Sequence, residues 1–180
     1  MEATLRVLNE LVDSGIIERY AIGGAIAALY YLEPFLTEDL DVFCLVPESA
    51  SPLAPFAAVY DALRAQGHDF EGEHIVVEGV PVQLLPTTTA LELEALEAAV
   101  DRPYGQSVKA RVLRPEHLLA IGLQTGRDKD YARVATLLSQ VEDINLTEIR
   151  DLIARHGLAE RLAIFRRRYE DTAKILDEVP

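Results

Sequence analysis

The spacing of hydrophobic residues changes character along the chain. Near the start, Leu5, Leu8, Leu11 and Val12 recur at helical intervals, with Gly15 where a C-cap glycine belongs. The apolar segment Tyr20-Ala-Ile-Gly-Gly predicts a buried strand that ends in a tight turn. Ala25–Leu32 is rich in Ala and Leu and predicts a helix stopped by Pro34. Leu40–Val46 is the strongest strand signal, ended by Pro47. Pro52 suits the first turn of a helix running to about Gln66, with Gly67 beyond it. His74-Ile-Val-Val, Glu78-Gly79 and Val80-Pro-Val-Gln-Leu-Leu then spell a hairpin, in which Pro81 favours an edge position or a bulge.

Past Pro86 the pattern turns helical. Thr89–Val100 predicts a helix and Ser107–Leu113 a last strand. Pro115–Thr125, Asp128–Val141, Leu146–His156 and Leu158–Asp177 predict four consecutive helices joined at Gly126, Asp143-Ile-Asn145 and Gly157. Strands and helices alternate first, and helices follow. The expected fold class is α/β (α+β): a small mixed sheet flanked by helices, with a C-terminal helical bundle. The expected division is an α/β core over residues 1–113 and a helical region over 114–180.

Composition narrows the function. The chain has 180 residues, about half of them apolar, enough for one core with an extension. No apolar run reaches the length of a membrane span. The acidic start lacks the basic flank of a signal peptide, and a single cysteine, Cys44, excludes an intrachain disulfide framework or a cysteine-based zinc site. Together these features predict a cytoplasmic protein that avoids membranes. Cys44, inside the second strand, reads as a small buried hydrophobe. A net charge of −13 argues against general affinity for polyphosphate backbones. Local basic patches remain at Arg102–Arg133 and at Arg161 with Arg166-Arg167-Arg168, the latter being the expected solvated side of a terminal helix.

The chemistry concentrates at Asp39-Leu40-Asp41. Two residues apart on a strand, the carboxylates share a face while Leu40 and Val42 point into the core. Paired carboxylates repel and lose hydration, and a divalent cation such as magnesium relieves both penalties. Gly23-Gly24 closes the preceding strand, where the absence of a Cβ lets a phosphate approach backbone N–H groups. The same glycines would equally serve a plain strand-to-helix turn. A Thr37 hydroxyl could donate to phosphate or merely satisfy its turn.

In this order, strand, Gly-Gly, helix and Thr37-x-Asp39-Leu40-Asp41 resemble the opening motif of the nucleotidyltransferase superfamily. Within it the chain is most similar to the AbiEii-like enzymes, the toxin side of some toxin–antitoxin pairs. A second stretch, from Arg114 through Gly126-Arg127-Asp128-Lys129-Asp130, is similar to that family's helix and its Gly-Arg-x-Lys-Asp joint. The resemblance covers roughly residues 15 to 140 and implies transfer of a nucleoside monophosphate from a nucleoside triphosphate to an acceptor, with release of pyrophosphate. It implies that Asp39 and Asp41 are the catalytic and metal-holding pair for magnesium in a two-metal arrangement. It likewise implies that Gly23, Gly24 and Thr37 hold phosphates, with Lys129 as a second phosphate contact. An RNA or protein acceptor and a cognate antitoxin are the implied partners.

The motif is incomplete. Active members carry a third carboxylate in a hydrophobic–Asp–hydrophobic setting, and the matching place, Val82-Gln83-Leu84, holds a glutamine. A neutral amide ligates weakly and cannot act as a base. The basic residue that often precedes the Thr is also missing, since Phe35 and Leu36 occupy that stretch. A two-residue turn at Glu78-Gly79 would set His74 across from Gln83, on the same face, where an imidazole could act as the base. Two functions stay open: an active magnesium-dependent nucleotidyltransferase, and a catalytically degenerate module of that fold that serves in binding or partnering.

Overall fold

A computed structural model describes residues 1–32, 39–48, 50–51, 53–72, 74–105 and 107–177. The chain divides into two compact units, the first comprising the described parts of Met1–Ala27 and Leu36–Leu113, the second those of Ala28–Phe35 and Arg114–Pro180.

Among the described residues the first unit is built on a mixed sheet of seven strands, in the order β3-β4-β5-β2-β1-β7-β6. In chain order these are β1 (Arg19–Ile22), β2 (Leu40–Leu45), β3 (Phe70–Glu71), β4 (His74–Val77), β5 (Val80–Pro86), β6 (Val100–Tyr104) and β7 (Val108–Val112). Helices α1 (Glu2–Asp13), α2 (Gly24–Ala28), α3 (Ala57–Ala65) and α4 (Ala90–Ala98) accompany it. One face of the sheet is a continuous apolar layer because register aligns the inward residues. Ile75 pairs with Val82, Val82 with Leu40, and Leu84 with Val42; Val42 pairs with Ile22, and Ile22 with Val112. All of these are at most 7% exposed, and each full burial contributes about 2 kcal/mol. The buried residues Leu5, Leu8 and Leu11 give α1 an apolar stripe. Hydrogen bonds tie α1 to the sheet: Thr4 Oγ1 donates to the Val77 carbonyl, the Tyr20 hydroxyl to Asn9 Oδ1, and Asn9 Nδ2 to the Lys109 carbonyl.

The β4–β5 hairpin fixes which residues reach the other face. Its turn is Glu78-Gly79, with φ of 53° and 79° respectively, the two positive values of a type I′ turn. Val77 and Val80 flank that turn as a pair. Pro81, expected at an edge or a bulge, lies instead in an interior strand. A two-residue hairpin leaves Val76–Pro81 as a non-hydrogen-bonded pair, and the ladder to β2 begins only at Val82, so no bond needs the missing N–H.

Several boundaries differ from expectation. The helix expected over Ala25–Leu32 stops at Ala28. The helix expected to reach Val100 ends at Ala98, because Ala99 turns extended (φ −58°, ψ 149°) and Val100 opens β6. Its start is well defined by a capping box between Thr89 and Glu92.

In the second unit, α5 (Pro115–Thr125), α6 (Asp128–Gln140) and α7 (Leu146–Arg155) follow the predicted spans closely. Gly126 caps α5 at φ 70°, and the Asn145 side chain caps α7 by accepting from the Glu148 N–H. The stretch Leu158–Asp177 is not one helix. It breaks at Tyr169 (φ −132°) into α8 (Ala159–Arg168), α9 (Glu170–Ala173) and a 3₁₀ turn over Lys174–Asp177. The arginines of α8 are partly neutralised, Arg166 by Asp177 and Arg168 by Asp128. No helix among the described residues is long and apolar enough to cross a membrane.

Two outcomes follow from this packing. L-residues other than Asn and Asp lose about 1 kcal/mol in the left-handed region, so Glu78→Asn is expected to raise the stability measured by urea unfolding by up to about 1 kcal/mol. Cys44 is 1% exposed, and burial pushes its thiol up to about 12. The neutral thiol therefore stabilises the fold fully below pH 9, and that contribution is lost as pH rises from 9 toward 12. At pH 8 iodoacetamide should label Cys44 only after denaturant is added; labelling of the native protein at the rate of an unfolded peptide would contradict its burial.

Candidate functional site

The site lies where β1 ends and β2 begins. The two strands are antiparallel, so the Gly23-Gly24 turn at the end of β1 meets the start of β2. The Gly23 N–H donates to the Asp41 carbonyl at 2.9 Å, extending the ladder one residue past β1. Beyond it Gly24 turns to φ +56°, a region that favours glycine. A Cβ built on Gly24 would lie 1.8 Å from Asp41 Oδ2, so the carboxylate occupies the volume that any other side chain would need. Gly23 has a different neighbour. A Cβ there would lie 2.4 Å from the Phe43 ring. Phe43 was not singled out in the sequence, although its place two residues after Asp41 puts it on the same face.

Alternation along β2 separates core from site. Leu40 and Val42 are fully buried, while Asp41 is half-buried on the opposite face. Asp39, just before the strand, is half-buried on the side that Asp41 occupies, with its side chain 43% exposed. In β5, Gln83 is the direct partner of Asp41 and is half-buried. The position beside the aspartates is thus filled by a neutral amide. Continuing the β4–β5 register one residue beyond Ile75–Val82 sets His74 opposite Gln83. Three adjacent strands therefore carry Asp41, Gln83 and His74 on one face. His74 also approaches the second aspartate: its Nε2 lies 3.8 Å from Asp39 Oδ2, beyond hydrogen-bond length but within ion-pair range. The imidazole side chain is 29% exposed, so solvent reaches it.

Thr37 lies outside the described residues. Lys129 belongs to the second unit, exposed in the first turn of α6, and has no ion pair among the described residues. Its neighbour Asp130 does not orient it. That carboxylate is buried and taken up by Arg127 at 2.6 Å and Arg133 at 3.6 Å. A groove of about 610 Å³ opens elsewhere in the first unit, at the other end of β1. It mixes Arg6, Arg19, Lys109 and Arg111 with Glu10, Asp13 and Asp101, so it presents no single sign of charge.

The two carboxylates are the kind of anionic oxygen donor that a divalent cation would need, and the Gln83 amide and His74 imidazole share their face of the sheet. The space left open by Gly24 holds the Asp41 carboxylate close to the turn.

No protein-family model matches the sequence, and no curated protein matches it. Solved structures do resemble it. One is an antigenic nucleotidyltransferase-like protein from Paracoccidioides brasiliensis, 17% identical, with a TM-score of 0.61 over 98% of this chain and 92% of that one. Another is the antibiotic-resistance factor ANT(2'')-Ia, 12% identical, with a TM-score of 0.50 over 95% of this chain and 100% of that one. At these identities the likeness is one of fold: the chain has the mixed α/β architecture of nucleotidyltransferase-like proteins.

Gly24→Ala tests the turn. The added methyl would meet Asp41 Oδ2 and also adopt a left-handed backbone, which together should cost about 2–4 kcal/mol in urea unfolding. A variant as stable as the parent would mean that the carboxylate does not sit over Gly24.

Proposed function

We propose that the protein transfers a nucleoside monophosphate from a nucleoside triphosphate to an acceptor hydroxyl, at a site held by Asp39 and Asp41. The observation that carries this reading is the seating of Asp41 on the Gly24 turn, with Asp39 two residues away on the same side. The fold shared with a nucleotidyltransferase-like protein supports it.

In this reaction the acceptor oxygen forms a bond to the α-phosphorus. The bond from that phosphorus to its bridging oxygen breaks, and pyrophosphate leaves with the released electron pair. The hydroxyl proton passes to the His74 imidazole or to water, because the amide of Gln83 cannot accept it. A divalent ion, when bound, offsets the negative charge of the triphosphate and of the leaving pyrophosphate. Asp39 and Asp41 would hold that ion. Gly23 and Gly24 make room for the Phe43 ring and the Asp41 carboxylate, and in this reading the triphosphate lies beside that turn. Thr37 is a further phosphate contact in this reading. Its finer version follows the AbiEii-like resemblance, with magnesium as the ion, an RNA or protein acceptor and a cognate antitoxin as partner.

A second reading is favoured by one observation, the neutral Gln83 directly beside Asp41. On that reading the chain binds nucleotide without turning it over. Calorimetry against the four nucleoside triphosphates with magnesium should reveal binding that Asp39→Ala abolishes; absence of binding to all four would overturn both readings. Transfer of labelled nucleotide to RNA or protein then separates them. A gain of transfer in Gln83→Asp would identify the missing carboxylate as the limiting group.

A further inference from the structure

We infer that the second unit carries a phosphate-binding subsite at the joint between α5 and α6, formed by the Arg161 guanidinium, the Tyr131 hydroxyl and the first backbone N–H groups of α6. It concerns residues of the second unit alone and does not rest on the reading of Asp39 and Asp41.

A buried hydroxyl first marks the place. Tyr131 is 1% exposed, and its ring centre lies 6.1 Å from that of Phe165. The hydroxyl oxygen is buried too, and it has no hydrogen-bond partner among the described residues. Buried polar groups are normally matched, because an unmet one has lost its water without compensation. Phenylalanine would fill the same apolar space, so packing alone gives the hydroxyl no role.

A second donor converges on it. Gly126 closes α5 at φ +70°, and a Cβ built there would lie 2.7 Å from Arg161 Nη1 and 3.2 Å from the Tyr131 hydroxyl oxygen. Both donors therefore face the one small volume that glycine leaves over the joint, and a single anion can meet both at about 2.8 Å. Arg161 is exposed, and no ion pair holds it among the described residues. Its head can turn toward a ligand, and that movement uncovers the hydroxyl.

Backbone and charge complete the subsite. No side chain caps the N-terminus of the 13-residue α6, so its first N–H groups adjoin Gly126 without a side-chain acceptor. The carboxylates of the joint are already engaged, Asp130 by Arg127 and Arg133, and Asp128 by Arg168. Arg127, Arg133, Arg161 and Arg168 outnumber them, in a chain whose net charge is −13. A guanidinium, a hydroxyl and helix N–H groups donate from several directions, which suits a tetrahedral phosphate better than a planar carboxylate. Two sources share that chemistry: a free phosphate compound and the backbone of an RNA strand.

The test uses the full chain labelled with nitrogen-15, at constant ionic strength and without divalent ions. NMR follows the Gly126 amide and the Arg161 side-chain Nε–H as inorganic phosphate, adenosine monophosphate or a single-stranded oligoribonucleotide lacking terminal phosphates is added. Both signals should shift and saturate. Tyr131→Phe should weaken that binding by about fivefold or more and Arg161→Ala by about tenfold or more, while Asp39→Ala leaves it unchanged. Tyr131→Phe removes no bond of the folded chain, so its thermal unfolding midpoint should equal or exceed the parent's. Saturation by the two small phosphates assigns the subsite to free phosphate compounds, and saturation by the oligoribonucleotide alone assigns it to a strand backbone. Failure to saturate with all three, an affinity unchanged in either variant, or a lowered midpoint in Tyr131→Phe would overturn the inference and leave the Asp39–Asp41 reading untouched.

Discussion

The close approach of the Asp41 carboxylate to Gly24 is the constraint on which the site depends. It forces glycine at that position twice over, through the positive φ and through the space the carboxylate fills. It also couples two strands, because the turn that ends β1 must meet the start of β2 with its ladder in register; the Gly23 N–H bond to the Asp41 carbonyl completes that register. A shift of one residue would turn Asp41 toward the apolar layer and Val42 toward solvent, exposing a hydrophobe and burying a charge. The core residues Leu40 and Val42 and the carboxylates of Asp39 and Asp41 are thus separated by one alternation.

The second determinant is the hairpin. Glu78-Gly79 fixes how β5 meets β4, and the parallel pairing of β5 with β2 fixes how both meet the aspartates. A neutral glutamine and an imidazole stand beside two carboxylates for that reason. The position that would hold a further negative charge lowers it, and a nitrogen donor stands nearby.

Much of this was legible in the chain itself, and for identifiable reasons. Tyr20-Ala-Ile-Gly-Gly and Leu40–Val46 are short apolar runs bounded by turn residues, and both form strands close to those positions. The Glu78-Gly79 turn was readable because a two-residue loop between alternating strands has few conformations, and the position of His74 follows from it. Other elements left weak local signals. Phe70–Glu71 is a strand only because β4 pairs with it, and Val100–Tyr104 contains a proline and two charged residues, so its extended form comes from pairing with β7. The break at Tyr169 carries no glycine or proline, and periodicity runs through it. Gly23 and Gly24 looked alike in sequence, yet one accommodates an aromatic ring and the other a carboxylate. That difference depends on contacts from β2, which local pattern does not encode.

The most direct measurement of the central claim is a crystal structure of the protein with a non-hydrolysable nucleoside triphosphate analogue and a divalent ion. The account predicts an ion within bonding distance of both the Asp39 and Asp41 carboxylates, with the triphosphate beside the Gly23-Gly24 backbone. Nucleotide bound elsewhere, with no ion on either aspartate, would contradict it.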